Sequence, residues 1–227
     1  MSRLLSRSCT AAPKWVRTTF TMPLPKKLNE IVRLPLFERE DPVKIRSMWL
    51  EHINEKSRSI GAVMAKPEWD IFHKNALACP MFIIPVQKPE GYFNMVSQIQ
   101  DGKYCLMTFL DHFRSNPTDA HPFMVMNFYD DLLKSKGLTL LRADLVAPDL
   151  SKSEGEAVVR MLREFYGQPT LFKKWVETFN LRPREFDFGE FTRANDSFIR
   201  EIFGKAVSER IRQQTENAPQ MSIPTRS

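Results

Sequence analysis

The chain has 227 residues, 42% of them hydrophobic, 8 Gly and a formal charge of +6. That length suits one ordinary domain with tails, and no apolar run approaches the ~20 residues of a membrane-spanning helix, so membrane insertion is not expected. The charge lies at the front: Arg3, Arg7, Lys14, Arg17, Lys26 and Lys27 all precede the first acid, Glu30, and loss of the first four takes the net charge from +6 to +2. So small a surplus gives no reason to expect a nucleic-acid partner.

Residues 1–22 are rich in Arg, Ser and Thr, lack acids, and set Leu4, Leu5, Trp15, Val16 and Phe20 among positive charges. This is the composition of a mitochondrial presequence, and Arg7 breaks the apolar centre of about 7 to 15 residues that a secretory signal requires. The expected location is the mitochondrial matrix, with cleavage between Phe20 and Leu28. Residues 23–40 read as a linker with a short helix, in which Leu28, Ile31, Val32 and Leu34 share a face.

A single α+β domain is expected over 41–203. Asp41 and Pro42 open a helix running to Ser57, with Met48, Trp49, His52 and Ile53 inward. A brief strand at Ile60–Ala65 leads to a second helix from Pro67, with Trp69, Phe72, His73, Ala76 and Leu77 inward and an end at Cys79-Pro80. Met81–Val86 and Tyr92–Gln100 are strands about a turn at 88–91; on the second, Phe93 and Met95 point inward and Val96 is a further candidate. Asp101-Gly102 is a hairpin signal that returns Lys103–Leu110 antiparallel to its predecessor.

Residues 111–122 read as a loop, followed by strands at Phe123–Phe128 and Leu138–Asp144 about a helical turn closed by Gly137. Ser151 or Ser153 caps a helix ending at Gly167. Another runs from Pro169 to Phe179 and ends at Arg182-Pro183. Asp196–Gln214 is a third, with Phe198, Ile199, Ile202, Phe203, Val207 and Ile211 on one stripe. Residues 204–227 are expected to hold the end of that helix and a disordered tail. The fold class is therefore α+β: a mainly antiparallel curved sheet of about five or six strands, covered on one face by N-terminal and C-terminal helices.

No GxGxxG, GxxxxGK[ST], HExxH or GxSxG pattern occurs, and Cys9, Cys79 and Cys105 are too irregularly spaced for a disulfide framework or a four-ligand zinc site. Cys79 and Cys105 are read as small buried residues. The four histidines, His52, His73, His112 and His121, form no i, i+4 ligand pair. His112 and His121 flank a loop beside Asp111 and Asp119 without metal-ligand spacing, so the group reads as a polar loop. No catalytic residue, metal or cofactor is expected, and the chain is read as a monomer. Two other classes stay open: an RNA- or ribosome-associated basic protein, and a small matrix enzyme using Cys79 or His112.

The stretch Trp175-Val-Glu-Thr-Phe-Asn-Leu-Arg-Pro-Arg-Glu-Phe186 resembles the signature of a known family, the mitochondrial ATP synthase assembly chaperones (F1 complex assembly factor 1) that bind the β subunit of the soluble catalytic sector. LNEIVRL at Leu28, the helix around Trp49, Cys79-Pro80 and Glu90-Gly91-Tyr92 also match, so the likeness covers Leu28 to Arg193. The resemblance implies a non-enzymatic chaperone that holds the unassembled β subunit, prevents its aggregation and yields it to the α subunit. Phe179, Asn180, Leu181 and Arg182 are the candidate partner-binding residues, with Arg182 placed to reach a carboxylate or carbonyl of the partner. The same segment is equally suited to docking its own helix on the sheet. The extension after Arg193 is not covered by the likeness.

Overall fold

The computed structural model of the protein describes residues 26–116 and 120–216. The presequence expected at 1–22 and the tail beyond residue 216 lie outside the described residues, as does Asp119.

Near the N-terminus, a 3-10 turn at Leu28–Glu30 and a short helix α1 (Leu34–Phe37) precede α2 (Pro42–Asn54). The Asp41 carboxylate caps α2 by accepting the Val43 and Lys44 N–H groups at 2.9 and 3.0 Å, satisfying donors that the helix itself leaves unpaired. The buried stripe of α2 is Ile45, Trp49 and Ile53. His52, expected inward, is exposed, because a four-residue spacing defines the stripe and His52 falls on its flank.

Strand β1 (Ser59–Ala65) passes directly into α3 (Lys66–Ala78), followed by β2 (Met81–Lys88), β3 (Gly91–Gln100) and β4 (Tyr104–Phe109). The β3–β4 turn uses two left-handed residues, Asp101 at φ 51° and Gly102 at φ 65°, which is the backbone an Asp-Gly hairpin provides. Residues 111–115, expected as loop, form α4 (Leu110–Ser115) together with Leu110, which was expected to end the preceding strand. The His112 ring packs edge-on to Phe109 at 4.9 Å, and the Ser115 hydroxyl bonds the Asp111 carbonyl, local contacts that outweigh the turn-forming composition. Strand β5 (Pro122–Tyr129), α5 (Leu133–Lys136) and β6 (Leu138–Leu145) complete the sheet, with Gly137 in the left-handed region as the α5 stop.

The six strands are ordered β1-β6-β5-β4-β3-β2 and every neighbouring pair is antiparallel. A register shift between Met107 and Thr108 bends the sheet, as bulges do. Strands β2 to β6 are a meander, while β1 joins the far edge beside β6, so the chain crosses the whole sheet through α3. Proline fits in β2 because the strand is at an edge: Pro85 shares the parity of Met81, whose N–H turns away from β3 to a helix side chain, so the missing N–H of Pro85 also lies on the outer side.

Helices cover both faces, not one. Alternation along β1 and β6 divides the core: Ile60, Met64, Leu141, Ala143 and Leu145 pack with α3 and the later helices, whereas Val63, Leu138 and Leu140 pack with the α2 stripe, Leu28 and Tyr129. Sequence periodicity sets which side of a helix is apolar but not which side of a sheet receives it. On β3, Met95 and Ile99 face the larger core; Val96 lies on the opposite face by the same alternation.

Helix α6 (Lys152–Gly167) opens with a capping box between Ser151 and Glu154. Glu154 is only 1% exposed and is paired with Lys88 Nζ at 2.7 Å and Arg210 Nε at 3.1 Å, so the buried charge has partners on both sides. Next, α7 (Pro169–Leu171), a π-helical stretch Phe172–Val176 and α8 (Glu177–Leu181) run as one rod. The sequence reading did not anticipate α9 (Phe188–Ala194), capped by Asp187, whose Phe191 is fully buried. Helix α10 (Asp196–Glu216) buries Ile199, Ile202, Phe203 and Ala206, and remains attached past residue 203 through Arg210; Ile211, expected on the stripe, is exposed. Cys79 and Cys105 are both buried and free.

Candidate functional site

An open groove of about 580 Å3 lies where the C-terminal ends of α3 and α8 meet the end of β3 and its turn to β4. One wall is Ala76, Leu77 and Ala78, the floor is Pro80, Met81 and Gln98 to Gly102, and the other wall is Phe179, Asn180 and Leu181. Leu77 and Leu181 stand at it 56% and 63% exposed. Leu77 was expected in the core, but it lies in the last turn of α3 (Lys66–Ala78), is exposed and lines the groove. Two exposed leucines thus face one groove from its two walls.

The four residues singled out from sequence are placed differently. Phe179 anchors α8, with its ring edge-on to Phe82 at 5.9 Å and to Phe186 at 5.1 Å. Asn180 is a clamp: its Oδ1 accepts the Met81 N–H at 3.1 Å, and its Nδ2 donates to the Met81 carbonyl and, at 2.8 Å, to the Val176 carbonyl. The amide thus stands in for a neighbouring strand at the edge of β2. Leu181 is free to touch another molecule. Arg182 lies just outside the groove lining, half-exposed, and pairs with its own segment: Glu177 at 3.5 Å, Glu185 at 3.0 Å and the Thr178 hydroxyl at 3.1 Å. Exposed pairs of this kind hold weakly.

The opposite wall and the floor, Leu77, Ala78, Gln98, Gln100 and Asp101, were not found by sequence reading. Gly102 closes the floor tightly: a Cβ there would sit 2.5 Å from His73 Cδ2. The one signal available was Asp101-Gly102 itself, which announced a turn but not its neighbour across the sheet.

The residues considered for chemistry are differently placed. Burial pushes the Cys79 thiol up, with Glu177 adding to the effect, and pushes Cys105 up further; both shifts oppose formation of a nucleophilic thiolate. His112 is engaged by the Phe109 and Phe123 rings. Among the described residues no three His, Cys, Asp or Glu side chains are grouped to hold a metal ion, and no helix is long and apolar enough to cross a membrane.

The sequence profile of the family described as "ATP11 protein" matches residues 7–192. The chain belongs to the ATP11 protein family. Similar proteins named "ATP synthase mitochondrial F1 complex assembly factor 1" occur in Danio rerio, 26% identical over 162 residues, and in Homo sapiens, 26% identical over 164. These alignments take in 71% and 72% of this chain but 53% and 49% of the relatives, so the chain spans about half the length of the curated relatives it matches. The mouse relative of the same name is 24% identical over 164 residues. The ATP11 match takes in the groove and both of its walls and stops short of α10.

Proposed function

We propose that this protein is a non-enzymatic assembly factor of the mitochondrial matrix that holds the unassembled β subunit of the ATP synthase F1 sector, keeps it from aggregating and yields it to the α subunit. The observation that carries the reading is Leu181, exposed on a groove wall built from the segment that resembles the assembly-chaperone signature. Membership of the ATP11 family and the names of its relatives support it. A rigid rim with exposed leucine suits reversible cover of an apolar subunit surface, because the anchoring residues Phe179 and Asn180 already fix the rim in place.

The test is light scattering of purified F1 β subunit diluted from denaturant, with and without this protein. Scattering is expected to fall in its presence, and added α subunit is expected to displace it from β. Leu181→Glu, at a site that contributes little to the core, should leave the thermal midpoint unchanged and abolish protection. Absence of any complex with β ends the proposal.

A further inference from the structure

Two helices end on this groove, and both end in the same way. Ala76 on α3 and Phe179 on α8 each lie four residues before a proline, Pro80 and Pro183, which has no N–H to give the carbonyl one turn behind it. The usual donor to Leu77, the Met81 N–H, is taken by Asn180, and the usual donor to Leu181, the Glu185 N–H, goes to the Arg182 carbonyl. Both walls therefore keep carbonyl lone pairs at the negative ends of helix dipoles. Asp101 is a residue of the same lining, exposed in the turn, and has no ion pair among the described residues. Lys103, two residues along the turn, pairs with Asp130 at 2.7 Å, and Arg182, just outside the lining, pairs with Glu177 and Glu185.

We propose that the groove is a cation-selective seat for a single Lys or Arg side chain of a polypeptide partner. Its aliphatic stem lies between Leu77 and Leu181, and its charged head meets the helix-end carbonyls and Asp101. Long basic side chains divide in this way between apolar and polar surroundings. The proposal rests on the preceding reading only for the identity of the polypeptide that brings the cation.

The experiment is an NMR titration of the full chain with two acetylated, amidated tripeptides, Leu-Arg-Leu and Leu-citrulline-Leu, which differ in charge but hardly in shape. The arginine peptide should shift the amides of Leu77, Gly102 and Leu181 saturably, and the citrulline peptide should bind about tenfold more weakly. Asp101→Asn, which keeps a residue tolerant of the left-handed turn, should weaken the arginine peptide about threefold, and Asp101→Lys should remove its binding; thermal midpoints check that both variants fold. Equal binding of the two peptides, shifts elsewhere on the protein, or no saturable shift overturns the proposal. A second arm measures the complex with intact F1 β subunit. If Asp101→Lys and wild type bind β alike, the seat is not used for that client and the proposal falls while the assembly reading stands. If the tripeptides behave as expected but β binds neither protein, the assembly reading falls and the cation seat stands.

Discussion

Replacing Asn180 by alanine separates the two jobs that its position on the groove suggests. The side chain makes both hydrogen bonds that the outer edge of Met81 offers, one accepted and one donated, and a third to Val176. Alanine leaves a half-buried N–H and C=O of β2 to find water. At about 1 kcal/mol net per bond, two lost inter-element bonds cost ~2 kcal/mol, with the Val176 bond a smaller, local loss. In urea, with a slope near 2 kcal/mol/M, the unfolding midpoint should fall by about 1 M. Hydrogen exchange should quicken at Met81 and along α8 while the centre of the sheet keeps its protection. Asn180→Asp, which keeps the acceptor and loses the donor, should fall between. A midpoint within ~0.2 M of wild type and an unchanged Met81 amide would refute the clamp and return Asn180 to the role of a partner contact.

Two further outcomes follow from burial. Burial, with help from nearby carboxylates, pushes the Tyr129 phenol up to about 12 from about 10 in an unfolded chain, so its share of stability is complete below pH ~10 and is lost as pH rises toward 12. Chemical denaturation at pH 8 and pH 11.5 should show wild type losing more stability than Tyr129→Phe, by about 2 kcal/mol; equal losses refute the assignment. Phe203→Ala should cost about 3–5 kcal/mol in urea unfolding, because Phe203 is fully buried although it lies beyond the ATP11 match; a small loss would mean that α10 is an appendage.

Local pattern carried much of this fold. Asp41-Pro42, the serines Ser151 and Ser153, of which Ser151 is the cap, Asp101-Gly102 and Gly137 each announce a cap or turn through chemistry confined to a few residues. What was illegible depends on long-range partners. The pairing of β1 with β6, the placement of α2 on the face opposite α3, and the emergence of Leu77 from its stripe into a groove are settled by residues far away in the chain. The candidate site divides in the same way. Its α8 wall stands in one contiguous segment that the sequence sets apart, in which Phe179 and Asn180 anchor the wall and Leu181 is exposed on it. Its α3 wall and floor had no signal of their own, because Leu77 reads as core until the end of the sheet beneath it is known.

The strand order also sets a schedule. A chain that emerges from its N-terminus presents Ser59–Ala65 long before Leu138–Asp144 exists to pair with it, and the apolar stripe of α2 waits for the same event, since Leu138 and Leu140 form part of its cover. Meanwhile the meander from Met81 onward zips up neighbour by neighbour. Closure of the far edge is therefore the slow, non-local step, and until it happens the apolar stripe of α2 lacks the part of its cover that β6 supplies.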